Sequence, residues 1–191
     1  MEWNTGIVSV FCCLVLIHAD ASFEYTRSGH EVTDIPDDIP LNVQHIEIYG
    51  TSITEIKSYA FSNFTQLTTL KLHVNREMKL VANHAFAYTA IRKMQLSWSK
   101  LEKMPNLTDI STTLTDLNLH HNGITSIEPS YFAELKVLEN IDLSHNGLTH
   151  FPNLQGCNFL SLDLRSNLIR HLEESYLNNF SVQHLDLRYN N

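Results

Sequence analysis

Four stretches of this chain repeat one spacing of apolar residues. They are LTDLNLHHNGITSI, LENIDLSHNGLTHF, FLSLDLRSNLIRHL and VQHLDLRYNN, which begin at residues 114, 138, 159 and 182. All four fit the frame L-x-x-L-x-L-x-x-N-x-L, and the same frame fits three earlier segments that begin at residues 43, 67 and 91. Successive units start 24, 24, 23, 24, 21 and 23 residues apart. Internal repeats of this length predict a solenoid whose neighbouring coils share one continuous core.

This frame and period make residues 43–191 resemble an extracellular leucine-rich repeat protein such as a receptor ectodomain. The resemblance implies an α/β-type solenoid, in the form of a curved horseshoe with a concave parallel sheet of short strands and an irregular convex side. On this interpretation the segment 43–191 contains six repeats and a truncated seventh.

The positions of the frame have separate physical roles. Residues of a strand alternate between faces, so the leucines of each L-x-L should point into the core and the residue between them should point out. The asparagine at position nine can donate and accept hydrogen bonds where the chain turns off the strand. That position holds Asn75, Asn122, Asn146, Asn167 and Asn190 in five units, but Thr51 in the first and Ser99 in the third. We expect the turns at Thr51 and Ser99 to be less fully satisfied.

Residues 1–21 have the organisation of a secretory signal peptide. An apolar run from Ile7 to Ile17 precedes Ala19-Asp20-Ala21, which predicts cleavage after Ala21. A run of about 11 residues is too short to span ~30 Å of hydrocarbon, so we expect secretion and not anchoring. Residues 22–42 would then form a cap-like segment ahead of the repeats, because EVTDIPDDIP at its end resembles the N-terminal cap of extracellular members. Such caps usually carry paired cysteines, and this segment has none.

The charge and the cysteine count limit the partners and the covalent chemistry. Cleavage after Ala21 leaves 13 basic and 19 acidic residues, with Cys157 as the single thiol. A mildly acidic chain without a cluster of Lys and Arg argues against nucleic acid and anionic membranes as partners. No later segment reaches transmembrane length, so no membrane anchor is predicted in this chain. Cys157 is expected to be a buried free thiol, with an intermolecular disulfide as the alternative.

The outward residues of successive units should form columns on the concave sheet, where solenoids commonly bind partners. Trp98 is the most informative of them, because an outward aromatic residue is not needed for the core and is common among interface hot spots. The alternative is that Trp98 folds over a neighbouring coil and covers its backbone. The candidate ligand-binding residues are Tyr49, His73, Val74, Trp98, His120, His121, Asp142 and His145.

Three of these residues could also hold a metal ion. His120, His121 and His145, with Asp142 adjacent, offer the imidazole and carboxylate ligands that suit zinc or copper. The cluster can be interpreted as solvated, hydrogen-bonded histidines, as a pH-sensitive surface or as a metal site. No fourth ligand is obvious, so the sequence favours the first interpretation and predicts no metal and no other cofactor.

Three N-glycosylation sequons fit a secreted chain. They begin at Asn63, Asn106 and Asn179, at positions 21, 16 and 21 of their units. Because these positions lie away from the predicted strands, glycans there would leave the concave face open.

The sequence contains no nucleophile elbow, phosphate loop, H-E-x-x-H or paired-cysteine metal motif. We therefore predict no catalytic residues and no enzymatic activity. The resemblance implies a secreted or cell-surface recognition module that binds an extracellular protein or glycan ligand. A structural matrix or adhesion protein of the small leucine-rich repeat type is the alternative. Since the frame stops after the strand and turn of the seventh unit, we expect the chain to be a fragment of a longer protein.

Overall fold

The computed structural model describes residues 23–191, so the predicted signal peptide lies outside the described part of the chain. Short strands dominate, and the helical elements are one four-residue α-helix and two 3-10 turns. In chain order the strands are β1 (Glu24–Ser28), β2 (His45–Tyr49), β3 (Glu55–Ile56), β4 (Thr69–His73), β5 (Leu80–Val81), β6 (Lys93–Gln95), β7 (Asp116–Asn118), β8 (Asn140–Asp142), β9 (Asn158–Asp163) and β10 (Ser181–Asp186). The helix α1 spans Tyr131–Glu134, and the 3-10 turns span Thr108–Ile110 and Glu174–Leu177.

One parallel sheet of eight strands runs through the whole described chain. Its order is β1-β2-β4-β6-β7-β8-β9-β10, so each coil contributes one strand and lies beside the next coil along the sequence. The register keeps equivalent frame positions opposite each other, as in Ile46 opposite Leu70 and Leu117 opposite Ile141. A two-stranded parallel sheet of β3 and β5 lies on another side of the coils. The predicted leucine-rich repeat solenoid is therefore confirmed.

The core is built from the apolar positions of the frame. Leu117 and Leu119, which the alternation placed inward, are 2% and 0% exposed. Phenylalanines fill the opposite side of the coils, where Phe61 stacks on Phe86 with ring centroids 6.0 Å apart. Burying side chains of this size stabilises the fold by about 1.5 to 3 kcal/mol each. The core therefore holds successive coils together up to the last strand, where Leu185 and Leu187 are 41% and 38% exposed.

A ladder of asparagine side chains ties the turns of neighbouring repeats together. The Asn167 amide nitrogen donates to the carbonyl oxygens of Leu143 and Leu164, both at 3.0 Å, and its oxygen accepts from the Leu148 backbone N–H at 3.0 Å. The same contacts, to both carbonyls and to one N–H, are made by Asn122, Asn146 and Asn190. The predicted role of position nine is therefore confirmed in the second half of the chain.

Two units have a residue other than asparagine at position nine, and these two residues behave differently. Thr51 is part of the side-chain ladder, because its hydroxyl donates to the Asn75 side-chain oxygen at 2.8 Å and accepts from the Ile53 N–H at 3.3 Å. The Ser99 hydroxyl makes only a long contact of 3.5 Å with the carbonyl of Ser97 in its own coil. Within residues 23–191, the side-chain ladder is thus interrupted between the second and third units, and the expected weakness applies to Ser99 and not to Thr51.

The segment before the first repeat adds a strand that the repeat pattern did not predict. Strand β1 pairs in parallel with β2 and extends the sheet by one coil. Val32 and Ile39 of this segment are buried against the core, and the Ser52 N–H donates to the Val32 carbonyl at 2.9 Å. At the other end of the chain, Cys157 is a buried free thiol, and burial raises its pKa.

Candidate ligand-binding face and its histidine rim

The outward face of the main sheet carries a polar groove. The groove encloses about 430 Å³ and crosses five neighbouring strands, from β4 to β9. Its lining side chains come from frame positions three and five, which share a face because strand residues alternate. They are Thr69, Lys71, Lys93, Gln95, Asp116, Asn118, Asn140, Asp142, Ser161 and Asp163. Basic residues lie at one end of this set and acidic residues at the other, so the groove has a charge gradient along the sheet.

Several residues at position five also fix the end of their own strand. The Asp142 carboxylate accepts from the Ser144 N–H at 2.9 Å and from the Ser144 hydroxyl at 2.6 Å. Asn118, Asp163 and Asp186 cap the N–H two residues ahead in the same way, each at 3.0 Å. This side-chain turn satisfies a backbone donor locally and explains why β7 and β8 end at position five.

Position eight of every repeat has a left-handed backbone. Strand alternation would place this position on the inward side, but the positive φ turns its side chain outward. Trp98 therefore does not lie on a strand, as the sequence suggested, but in the turn after β6, which ends at Gln95. The residues and their φ values are Gly50 (62°), Val74 (57°), Trp98 (54°), His121 (52°), His145 (55°), Ser166 (54°) and Tyr189 (59°).

Three of these outward side chains form a continuous stack along the rim of the sheet. The Trp98 ring lies on His121 with centroids 3.7 Å apart, and His121 lies on His145 with centroids 4.2 Å apart. His120, from position seven, meets the edges of the stack, with its centroid 4.3 Å from that of His121. Trp98 remains 42% exposed. Trp98 thus packs on the neighbouring coil, as the alternative interpretation expected, and still presents part of its ring to solvent.

A hydrogen-bond chain orients His120. Its Nδ1 lies 3.2 Å from the Ser144 hydroxyl oxygen, and that hydroxyl donates its proton to Asp142. Burial lowers the pKa of His120, and the carboxylate of Asp142 acts in the opposite direction. Burial also lowers the pKa of His121, with further lowering from the neighbouring His120 and His145. The two imidazoles are therefore held in the neutral form at neutral pH.

A separate aromatic pair lies at the end of β2 and β4. Tyr49 stacks on His73 with centroids 5.3 Å apart, and the His73 Nε2 lies 2.7 Å from a carboxylate oxygen of Glu47. Val74 follows in the next turn and donates its N–H to the Ser97 carbonyl at 3.0 Å. These contacts place the first three candidate residues at the same rim as the histidines, in earlier coils.

The candidate residues fall into two sets. Asp142 lines the groove, whereas Tyr49, His73, Val74, Trp98, His120, His121 and His145 lie on the rim where the strands end. The sequence interpretation overlooked position three, although strand alternation puts it on the same face as position five. Lys93 and Asn140 are examples of groove residues that this signal could have identified.

The three sequon asparagines lie away from the main sheet, and each is exposed to solvent. Asn106 is the most ordered of them, because its side-chain oxygen accepts from the Thr108 N–H at 3.0 Å and its amide donates to Asn83 at 3.3 Å. None of the three, Asn63, Asn106 and Asn179, lines the groove.

Comparison with known proteins agrees with the architecture. A family model described as "BspA type Leucine rich repeat region (6 copies)" matches residues 40–153 and 110–191. The chain belongs to the leucine-rich repeat family. Leucine-rich repeat relatives of this kind are non-enzymatic repeat modules, so the prediction that the chain is not an enzyme is confirmed.

The curated relatives are leucine-rich repeat proteins of the extracellular matrix or the cell surface. Human leucine-rich repeats and immunoglobulin-like domains protein 3 is 34% identical over 125 residues, which cover 63% of this chain and 11% of that protein. Human lumican is 30% identical over 139 residues, covering 72% of this chain and 40% of lumican. Pig fibromodulin is 26% identical over 147 residues, covering 75% of this chain and 98% of the pig sequence. The chain therefore spans 11% of the human leucine-rich repeats and immunoglobulin-like domains protein 3 and 40% of bovine osteomodulin.

A solved structure shares the same fold. The TLR13 chain of a TLR13-ssRNA13 complex superposes with a TM-score of 0.63 at 24% identity, over 80% of this chain and 22% of that chain. At that identity the likeness concerns the leucine-rich repeat fold alone. Between residues 23 and 191, no helix has the length and apolar character needed to cross a bilayer.

Proposed function

We propose that this protein is an extracellular recognition module that binds a protein or glycan ligand through the groove and rim of its main sheet. The observation that carries the proposal is the groove of about 430 Å³, whose lining residues point away from the core. Because Lys93 is not needed to fill the solenoid, its charge is available to a partner. Lys71 lies on the neighbouring strand, 3.9 Å from a carboxylate oxygen of Glu47.

The rim adds exposed aromatic area beside this groove. Tyr49, His73, Val74, Trp98, His120, His121 and His145 would contact the outer part of the ligand, and Asp142 would contact it from the groove. Trp98 is the expected anchor, because a large ring that is 42% exposed and held by a stack loses little freedom on binding. Secretion through the signal peptide at 1–21 and glycans on Asn63, Asn106 and Asn179 belong to the same proposal. Nucleic acid is not among the proposed ligands.

The test begins with the secreted chain immobilised and screened against panels of extracellular proteins and of glycans. The affinity of each ligand is then measured for Lys93→Glu, which reverses a charge in the groove, and for Trp98→Ala. A matched control, Lys79→Glu, reverses the charge of an exposed lysine outside the groove. We expect Lys93→Glu and Trp98→Ala each to weaken binding at least about tenfold, a loss of about 1.4 kcal/mol.

Equal affinities for the groove variant and its control would refute binding through the main sheet. A ligand whose affinity falls for Lys93→Glu but not for Trp98→Ala would limit the contact to the groove and remove the rim from the proposal. The alternative function, a structural matrix or adhesion protein, predicts that extracellular-matrix components are retained and that both variants behave as the control does.

A further inference from the structure

The histidine rim has the geometry of a metal site. One ligand nitrogen from each of His120, His121 and His145 can be chosen so that all three lie within 4.8 Å of one another. We propose that these three residues form a binding site for a divalent transition-metal ion of the zinc and copper type. The sequence alone did not favour this interpretation, and four features of the structure now support it.

The first feature is the backbone turn. Consecutive residues of a strand point to opposite faces, so neighbouring histidines would normally diverge. The left-handed conformation of His121, with φ at 52°, brings its side chain to the outward side beside His120. His145 has the same conformation in the next coil, with φ at 55°, and supplies the third imidazole. The fold itself therefore gathers the ligands.

The second feature is the hydrogen-bond chain behind His120. Since the Ser144 hydroxyl gives its proton to Asp142 at 2.6 Å, its oxygen can only accept from the His120 Nδ1–H at 3.2 Å. This contact leaves the lone pair of His120 on Nε2, the atom that would bind the ion. Orienting contacts of this kind, from a carboxylate or hydroxyl to a ligating histidine, tune metal affinity by 10- to 100-fold. Asp142 therefore acts behind the site and is not a ligand.

The third feature is that the histidine side chains can move close enough to share one ion. Zinc holds imidazole nitrogens at about 2.0 Å, which puts tetrahedral ligands about 3.3 Å apart. His121 and His145 are stacked at 4.2 Å with an angle of 10° between their rings, so their nitrogen lone pairs lie in nearly parallel planes. Both side chains are half-buried, and within residues 23–191 His121 is stacked between Trp98 and His145, whereas His145 is stacked on His121 alone. Rotation about the side-chain bonds of His145 can therefore bring the nitrogens together. Three imidazoles leave one coordination position for water.

The fourth feature is the surrounding charge. The charged groups that act on His120, besides His145, are Asp142, Asp163 and Arg165. Asp163 pairs with Arg165 at 3.2 Å, so the carboxylate of Asp142 gives these three groups a net negative charge. A cation on the rim is thus favoured by its charged neighbours.

The experiment uses the full chain without a polyhistidine tag and measures Zn²⁺ binding by isothermal titration calorimetry. We expect one ion per chain, with affinity at least about tenfold weaker in His121→Asn and in His145→Asn. Asparagine tolerates a left-handed backbone, so both variants should fold. His84→Asn is the matched control, because His84 also has a positive φ of 61° but lies on a different side of the coils, against Tyr59 and Asp109.

A second readout uses Trp98, which lies 3.7 Å from His121 between ring centroids. Bound Cu²⁺ should quench its fluorescence in a saturable way, and Trp98→Phe gives the background signal that does not come from Trp98. Ser144→Ala keeps all three imidazoles but breaks the orienting chain, and we expect it to weaken Zn²⁺ binding about tenfold. No saturable binding in the wild type, or equal Zn²⁺ affinities for His121→Asn, His145→Asn and His84→Asn, would overturn the proposal. Neither readout needs a ligand for the groove, so this result is independent of the proposed function.

Discussion

Replacing Asn167 by alanine should be among the more destabilising single changes in the chain. Asn167 is 4% exposed and makes three short hydrogen bonds to backbone groups. The carbonyls of Leu143 and Leu164 would each keep a second donor, from Asn146 and Asn190 respectively. The N–H of Leu148 would lose its side-chain acceptor, which costs about 1 to 3 kcal/mol. With two weakened carbonyl contacts, we expect a total loss of about 2 to 4 kcal/mol.

The assay is equilibrium unfolding in urea, followed by circular dichroism. For a slope of about 2 kcal/mol per molar urea, the midpoint of Asn167→Ala should fall by about 1 to 2 M. Asn178→Ala, at an exposed asparagine outside the ladder, is the control and should stay within about 0.5 kcal/mol of the wild type. Asn167→Asp replaces the donor with an acceptor that faces two carbonyls, so it should destabilise at least as much as alanine. A loss for Asn167→Ala no larger than that of the control would refute the structural role of the ladder.

Two further changes test neighbouring parts of the structure. Ser99→Asn should raise the free energy of unfolding by about 1 kcal/mol. The new side chain would donate hydrogen bonds to the backbone carbonyls of Leu72 and Leu96, as the asparagines of other repeats do to the equivalent carbonyls. A lower urea midpoint for this variant would contradict the prediction. Burial lowers the pKa of His120 and of His121 below the model-peptide value of about 6.5. The stability that these two residues contribute is therefore present above pH 6.5 and is lost as the pH falls through their folded-state pKa. Urea midpoints at pH 7.5 and 5.5 should therefore differ less in the double variant His120→Asn, His121→Asn than in the wild type, and equal differences would exclude this contribution.

The repeat frame predicted the parts of the structure that depend on strand alternation and on position in the coil. Leu117 and Leu119 are buried as expected, and Asn167 bridges two coils as its place in the frame indicated. Strand β1 was missed because EYTRS has no leucine frame, and it is positioned only by pairing with β2. Its placement depends on a neighbouring coil, which a repeat pattern does not contain.

The rim shows a second limit of prediction from the sequence. Trp98 and His121 were assigned to an outward strand column, whereas their exposure results from a left-handed turn. Residue type gives little warning of this turn, because the position accepts Val, Trp, Ser and Tyr as well as Gly and His, and only Gly and His are enriched at a positive φ. The cost of such a backbone is about 1 to 3 kcal/mol for each non-glycine residue, and the packing of the coil on both sides of the turn supports it. The sequence therefore predicted that these side chains point outward but gave the wrong reason for their exposure.

The interruption at Ser99 bears on how the molecule loses its structure. A solenoid behaves as a row of units whose stability is the sum of each unit and its coupling to the next. From the third unit onward, each junction carries the full asparagine contacts, whereas the junction between the second and third units has backbone pairing and apolar packing but no such side-chain link. We therefore expect that junction to be a weak coupling in the row of repeats. The coils before it should open as a group of their own, with amide hydrogens that exchange earlier than those of the coils that follow.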